Sequence, residues 1–507
     1  MVEHSKNKKR IAKNTVVLYV RMLVVMAVTL FTSRVILQAL GVEDFGLYNV
    51  VAGVVGLFAF LRTSMEKCTQ RFLNVEMAKP DGRLNDTFSA SMTIHIIIMV
   101  VILVLAETVG LWFLNSKINI PEGREAAANW IYQSAVVSLC FTLLCVPYSA
   151  SIIAHERMGF FAVVSILDAF LKLGIAYMVL HSSFDHLIYY GVLMAVVHLV
   201  NFILYSVYCR IKFDETKFRI LFDKSLYKEI FSFVSWTLLG QMAIIGTNQG
   251  NNILVNMFHS VTANAAMSVG SQVNGAVTSL SASFQTAFTP QITKSYASHD
   301  YDYLKSLVYS TSKISFLLLI MVTIPLAFNI DFVLKVWLKT VPEMSGIFCI
   351  LTLCNGILNA LSAPLNFTVM ASGKIKWFQI VTSLVYLSDL IILYALFSLG
   401  FPPATALAVK VTIMVGVLFV RLYYAHANVP CIDLLSYTKT IILPLTIATL
   451  MSVGAAWVMM HFTTNMLEKV LATIGMVMTT FVFMSFIGLS KSERCSMINL
   501  IKKFSNK

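Results

Sequence analysis

Between Gly246 and Asn252 the chain reads GTNQGNN, four side-chain amides inside a run that is otherwise apolar, with FVSWTLLGQMAII before it and ILVNMF after it. An unpartnered amide in hydrocarbon costs roughly 4–8 kcal/mol on a water-to-alkane scale, so these groups must face protein, water or a polar ligand. Gln241, Asn248, Asn252 and Asn256 follow one another at steps of 7, 4 and 4, which holds them within an arc of about 80° on a helix of 3.6 residues per turn. A second polar or small-residue stripe runs from Ser268 through Gln272 and Gly275 to Gln285 and Thr286. Two such stripes could line a wet cavity and bind hydroxyl-rich molecules, because amides and hydroxyls both donate and accept hydrogen bonds. The competing reading is helix packing: Gly246 and Gly250 form a GxxxG spacing, and amides bond across such contacts. If both hold on one helix, Asn248 and Asn252 face a cleft while the two glycines pack behind them.

Charged residues inside apolar runs are the other chemically capable set: Arg21, Arg34, Glu107, Asp168, Lys172, Lys313, Asp389 and Lys410. An intramembrane charge is costly and marks a cavity, a partner or a site. Asp168 and Lys172, four residues apart, fit a local ion pair. Glu107 and Lys313 lie near span ends, where snorkelling accounts for them. Arg34, one turn from Gln38, and Lys410 are deep enough to reach an anionic group such as a phosphate. Five basic against three acidic residues favours an anionic cargo. Asp168 or Asp389 could take up and release an ion, so a proton or sodium gradient is a candidate energy source, with the choice of acid open.

The elements that hold these residues follow from composition. Of 507 residues, 58% are hydrophobic and 12% charged, with a mean hydropathy of +0.77, which leaves too little polar surface for a water-soluble body. Apolar runs of about 20 residues divide the chain into about fourteen helical spans, from residues 14–38 and 44–62 to 438–461 and 466–489. With the N-terminus in the cytoplasm, about 28 of the 38 Lys and Arg fall on that side, about five outside and five within spans. This alternation is the positive-inside pattern, so the net charge of +13 reports topology rather than nucleic-acid binding. The expected location is a bacterial cytoplasmic membrane, with both termini cytoplasmic. The eight cysteines include no CxxC pair and no Cys/His cluster with metal spacing, so neither a disulfide framework nor a metal is expected.

The spans group as an N-terminal lobe of six helices (1–212), a cytoplasmic linker (213–229), a second lobe of six (230–428), and two further helices with a basic tail (429–507). The lobes read as weak repeats. TLFTSRVILQ and NQGNNILVNM each end a first span, and each is followed by a short turn and a span rich in small residues. Two parallel six-helix repeats are a transporter arrangement with a binding site between bundles.

The stretches SWTLLGQMAIIGTNQGNNILVNMF and TANAAMSVGSQVNGAVTSLSASFQTAFTPQITKSYA, with SRVILQALGVEDFGLYNVVAGVV and QRFLN in the first half, resemble the bacterial polysaccharide-export, O-antigen flippase-like proteins. That group sits in a superfamily with multidrug and toxin extruders and lipid II flippases. The resemblance implies an all-α membrane protein, two six-helix lobes in a V plus two C-terminal helices, working by alternating access. It further implies transfer of a polyprenyl-pyrophosphate-linked oligosaccharide between leaflets, among membrane lipids and other polysaccharide-assembly proteins, without a catalytic residue. Two rivals stand beside it. A cation-coupled extruder of the same superfamily would favour acidic intramembrane residues. A polytopic glycosyltransferase or polymerase could use Glu43 or Asp44 in GVEDFG, although no outside loop is long enough to hold an acceptor.

Overall fold

The computed structural model describes residues 2–56, 58–117, 120, 123–259, 261–338, 341–463, 465–490 and 493–494. The described chain is helical throughout and divides into two compact units, Met1–Leu238 and Leu239–Lys507.

In the first unit, α1 (Val2–Gly56) is two helices joined at Gly41, whose φ of 75° and ψ of 174° lie where a β-carbon is strained. This break is the turn expected between the first two spans. It is followed by α2 (Ala59–Met77), α3 (Leu84–Leu105) and α4 (Leu111–Lys117), the last two joined through a wide turn at Ala106–Gly110. Next come α5 (Glu125–Ala154), α6 (Met158–Leu180), α7 (His186–Lys212) and the first part of α8 (Lys224–Phe258). Buried Phe88, Met92, Tyr148, Val164, Tyr205 and Phe213 tie α3, α5, α6 and α7 together at one end. On the outer face of α3, Ile97, Val100, Val101 and Val104 are exposed, the apolar-outward pattern of a helix solvated by acyl chains.

The second unit holds the rest of α8, then α9 (Val261–Ala297), α10 (Tyr301–Phe328), the short α11 (Ile330–Trp337), α12 (Ser345–Ser372), α13 (Lys376–Ser398) and α14 (Thr405–Asn428). Its last helices are α15 (Leu434–Tyr437), α16 (Leu443–His461) and α17 (Met466–Phe483). The pairing of α9 with α12 is the most extensive in the molecule. A Cβ on Gly270 would lie 3.1 Å from the Phe348 backbone, and the Thr352 hydroxyl is 3.1 Å from the Gly270 carbonyl. Small residues thus let α9 and α12 approach at backbone distance. The boundary between units falls inside α8 and not in the polar stretch between α7 and α8. The chain after α14 belongs with the second unit.

Among the described residues twelve helices are long and apolar enough to cross a membrane, against about fourteen expected. The two exceptions coincide with the second and eighth expected spans. Both regions are helical, but the second is interrupted near residue 57 and carries Arg62, while α9 carries the polar stripe. The two polar helices thus occupy the same place in each set of six.

Candidate functional site

Each unit contains its own cluster of polar and charged side chains. In the second unit α8 buries Ala243, Thr247, Asn251 and Val255, one residue per turn. The Asn251 side-chain N–H donates to Asp389 Oδ2 on α13 at 2.7 Å, and the Thr247 hydroxyl lies 3.0 Å from the Tyr386 carbonyl. Asn251 and Asp389 are 1% and 0% exposed, yet the remaining oxygen of each side chain has no partner. One position after Thr247, Asn248 accepts a hydrogen bond from Lys410 Nζ of α14 at 2.5 Å. Asn355 of α12 donates to the Lys410 backbone carbonyl at 3.1 Å. Lys410 and Asp389 interact electrostatically, although no ion pair within 4.0 Å joins them. The result is a chain of polar groups across α8, α13 and α14: a carboxyl on one amide, an ammonium on another.

The close contact in GTNQGNN is made by one glycine. A Cβ on Gly250 would meet Leu390 Cδ2 at 2.6 Å, so this residue lets α8 and α13 touch. Gly246 is exposed with nothing within 4 Å of the Cβ position, which corrects the expectation that both glycines pack. Asn252 bonds only to Gln249 of its own helix at 3.3 Å, Gln241 is half-buried and Asn256 is exposed. Of the four amides chosen by spacing, Asn248 makes an inter-helix contact, Gln241 and Asn252 are half-buried, and Asn256 is exposed. On α9, Ser268, Ser271, Gln272 and Gly275 are exposed, so this stripe presents neutral hydrogen-bonding groups outward.

In the first unit two adjoining cavities, of about 260 and 210 Å³, share Arg62, Thr142 and His198 in their walls. The smaller also contains Arg21, Asp168, Lys172 and Asn201. Asp168 is neutralised: Lys172 pairs with it at 2.9 Å, as the four-residue spacing predicts, and Asn201 donates to its other oxygen at 2.7 Å. Arg21 lies 5.0 Å over the Phe161 ring and 3.3 Å from the Ser165 hydroxyl, while His198 and Thr142 are 3.3 Å apart. Among the described residues neither Arg21 nor Arg62 has a carboxylate partner. Three cations and one carboxylate face this space. Arg34 and Gln38, expected to share in binding, are exposed on α1 and line neither cavity.

Several residues here were beyond the sequence reading. Arg62 and Arg421 are not among the intramembrane charges singled out in the sequence. Arg62 lines both cavities, and Arg421 is buried in α14, bonded to Asn359 at 3.0 Å and Ser362 at 2.6 Å. Lys313 reaches no headgroup: it is buried against Glu493 at 3.1 Å. Asn251 was indistinguishable in sequence from the amides beside it, and Asn201 is a lone amide in an apolar run, 33 residues from the Asp168 it bonds.

Solved structures share this architecture. One described as MATE in complex with MaD3S superposes with a TM-score of 0.66 at 13% identity, over 84% of this chain and 97% of that one. An outward-facing multidrug resistance MATE family transporter of the MOP superfamily gives 0.63 at 12% identity, over 82% and 94%. A MOP superfamily transporter from Pyrococcus furiosus Vc1, described as having a binding pocket of reverse polarity, gives 0.60 at 13% identity, over 82% and 94%. The fold is thus that of the MATE transporters of the MOP superfamily. Residues 11–296, more than half of the chain, match the family described as polysaccharide biosynthesis protein, and the chain belongs to that family. No curated protein matches it.

Proposed function

We propose that this membrane protein moves a polyprenyl-pyrophosphate-linked oligosaccharide from the inner to the outer leaflet of a bacterial cytoplasmic membrane by alternating access, supplying O-antigen or capsule assembly. The observation that carries the reading is the cavity of the first unit, where Arg21, Arg62 and Lys172 face a single carboxylate, Asp168. Guanidinium groups without a carboxylate partner suit a pyrophosphate, which they can grip through two parallel hydrogen bonds. The exposed amides and hydroxyls of α8 and α9 suit sugars, and family membership supports a glycan cargo. Both termini are taken as cytoplasmic on the distribution of Lys and Arg.

For ion coupling the geometry favours Asp389 over Asp168. Asp168 already has a cation and an amide, whereas Asp389 is fully buried with one oxygen unpartnered, so a proton or sodium ion would complete its surroundings.

The test is export. With Arg21→Ala and Arg62→Ala at matched protein levels, surface glycan falls and polyprenyl-linked glycan accumulates on the cytoplasmic leaflet. Normal surface glycan together with new sensitivity to cationic drugs would transfer the protein to the second reading, a cation-coupled extruder, which the multidrug relatives in fold bring forward. Of the two acids open to the glycosyltransferase reading, Asp44 is buried and held by Arg124, and the Glu43 side chain lies outside the described residues.

A further inference from the structure

The polar stretch between α7 and α8 carries an arrangement that transport does not use. Residues 217–223 form neither helix nor strand, and the segment is fixed to the start of α3. Asn85 donates its side-chain N–H groups to the Glu215 and Lys217 carbonyls, both at 2.8 Å, and the Arg219 backbone N–H donates to Ser89 Oγ at 3.2 Å. The Arg219 guanidinium pairs with Asp86, and Arg83 pairs with Asp223 at 3.0 Å. Asp223 in turn accepts from the backbone N–H groups of Ser225 and Leu226, which sets the first turn of α8.

The apolar side chains that take no part in these contacts are left facing outward. Phe218, Ile220 and Phe222 form that set, at 42%, 74% and 92% exposed. A row of large apolar groups held outward by five polar contacts is an interaction surface rather than an accident of a loose loop. Its neighbours identify the occupant. Ile211 on the last turn of α7 and Phe231 on the second turn of α8 continue the apolar row into the outer faces of two membrane-crossing helices. Lys212, Lys224 and Lys228 flank it, exposed and without a carboxylate partner among the described residues.

We infer that residues 217–223 form a membrane-surface anchor, with Phe218, Ile220 and Phe222 inserted among the upper acyl chains and Lys212, Lys224 and Lys228 on anionic lipid headgroups. Apolar side chains in the headgroup region with a basic rim are the chemistry of interfacial anchoring. The anchor ties α3 and the start of α8 to one bilayer depth.

Photo-crosslinking tests it in the full-length protein. The substitution Phe222→p-benzoylphenylalanine exchanges one aromatic for another at an open position, so the fold is kept. A control carries the same residue at Asp214, whose side chain is 98% exposed. In equimolar phosphatidylglycerol and phosphatidylcholine vesicles, illumination adds the mass of one lipid at position 222 about five-fold more often than at 214, the ratio expected for roughly 1 kcal/mol. Equal yields at both positions, or a protein–protein adduct at 222, overturns the anchor. Lys212→Gln, Lys224→Gln and Lys228→Gln together bring the phosphatidylglycerol share of the adducts down to its share in the vesicle. Undiminished enrichment overturns the headgroup assignment.

Discussion

Asn251 and Asp389 meet at 2.7 Å across 138 residues of sequence, a lone amide N–H presented to a fully buried carboxyl whose second oxygen has no partner. This contact fixes the rotation of α8 against α13, and it decides which amides of GTNQGNN turn inward. The same carboxyl is the one proposed above to take up the coupling ion.

Asn251→Ala removes that donor and strands the carboxyl, at a cost of about 1–3 kcal/mol. Thermal unfolding in detergent reads the loss. Asp389→Asn folds with a near-isosteric amide, and its export in vesicles no longer responds to an imposed proton or sodium gradient. A variant that still responds to both would place coupling elsewhere.

The two glycines of the motif separate cleanly. Gly250→Ala forces Leu390 to rotate or α8 to move away from α13, and costs about 1–2 kcal/mol. Gly246→Ala meets open space and stabilises by about 0.5–1 kcal/mol through helix propensity. Melting temperatures of the two variants should move in opposite directions. Leu390→Ala should relieve the strain of Gly250→Ala.

Lys313 and Glu493 join α10 to the chain beyond α17. Glu493→Gln leaves a buried ammonium without its carboxylate and destabilises by about 3 kcal/mol, whereas Lys313→Met with Glu493→Leu recovers most of the loss. Equal stability of single and double variants would mean that the pair is solvated.

In the first unit, Arg124 binds both Asp44 and Asp185, and Asp185 caps α7 by accepting from the Leu187 and Ile188 N–H groups. Burial works to raise the Asp185 carboxyl, but the Ile188 N–H and the Arg124 guanidinium outweigh it and hold the carboxyl below the usual range. A lowered carboxyl stabilises the fold above its unfolded-state pKa, and that contribution is lost as pH falls through the folded-state value. Wild type should therefore exceed Asp185→Asn in melting temperature at neutral pH, with the gap closing below about pH 4. A gap that persists to lower pH would assign the effect to packing.

Helix existence was legible because lipid demands long apolar runs, and the turn at Gly41 because GVEDFG interrupts one. The choice among Asn248, Gln249, Asn251 and Asn252 was not: four amides within five positions spread over about 160° of the helix circumference, too broad an arc for periodicity to single out the one that faces a neighbour. The phase is set by Leu390 and Asp389, far away in sequence. Arg62 and Arg421 escaped the set of intramembrane charges because both stand within about a turn of an apolar run's edge, where a small shift of boundary exchanges loop for interior. Lys313 needed a partner near the chain's end that no local pattern announces.

The polar stripe of α9 sets an order on assembly. With Ser268, Ser271 and Gln272 exposed on one side, the helix lacks the apolar surface that lets a newly made segment partition into lipid alone. Its partner contact, Gly270 with Thr352, spans 82 residues of sequence. Ribosome and translocon must shelter α9 until α12 has emerged, so the polypeptide is exposed to misinsertion for the time taken to synthesise three further helices.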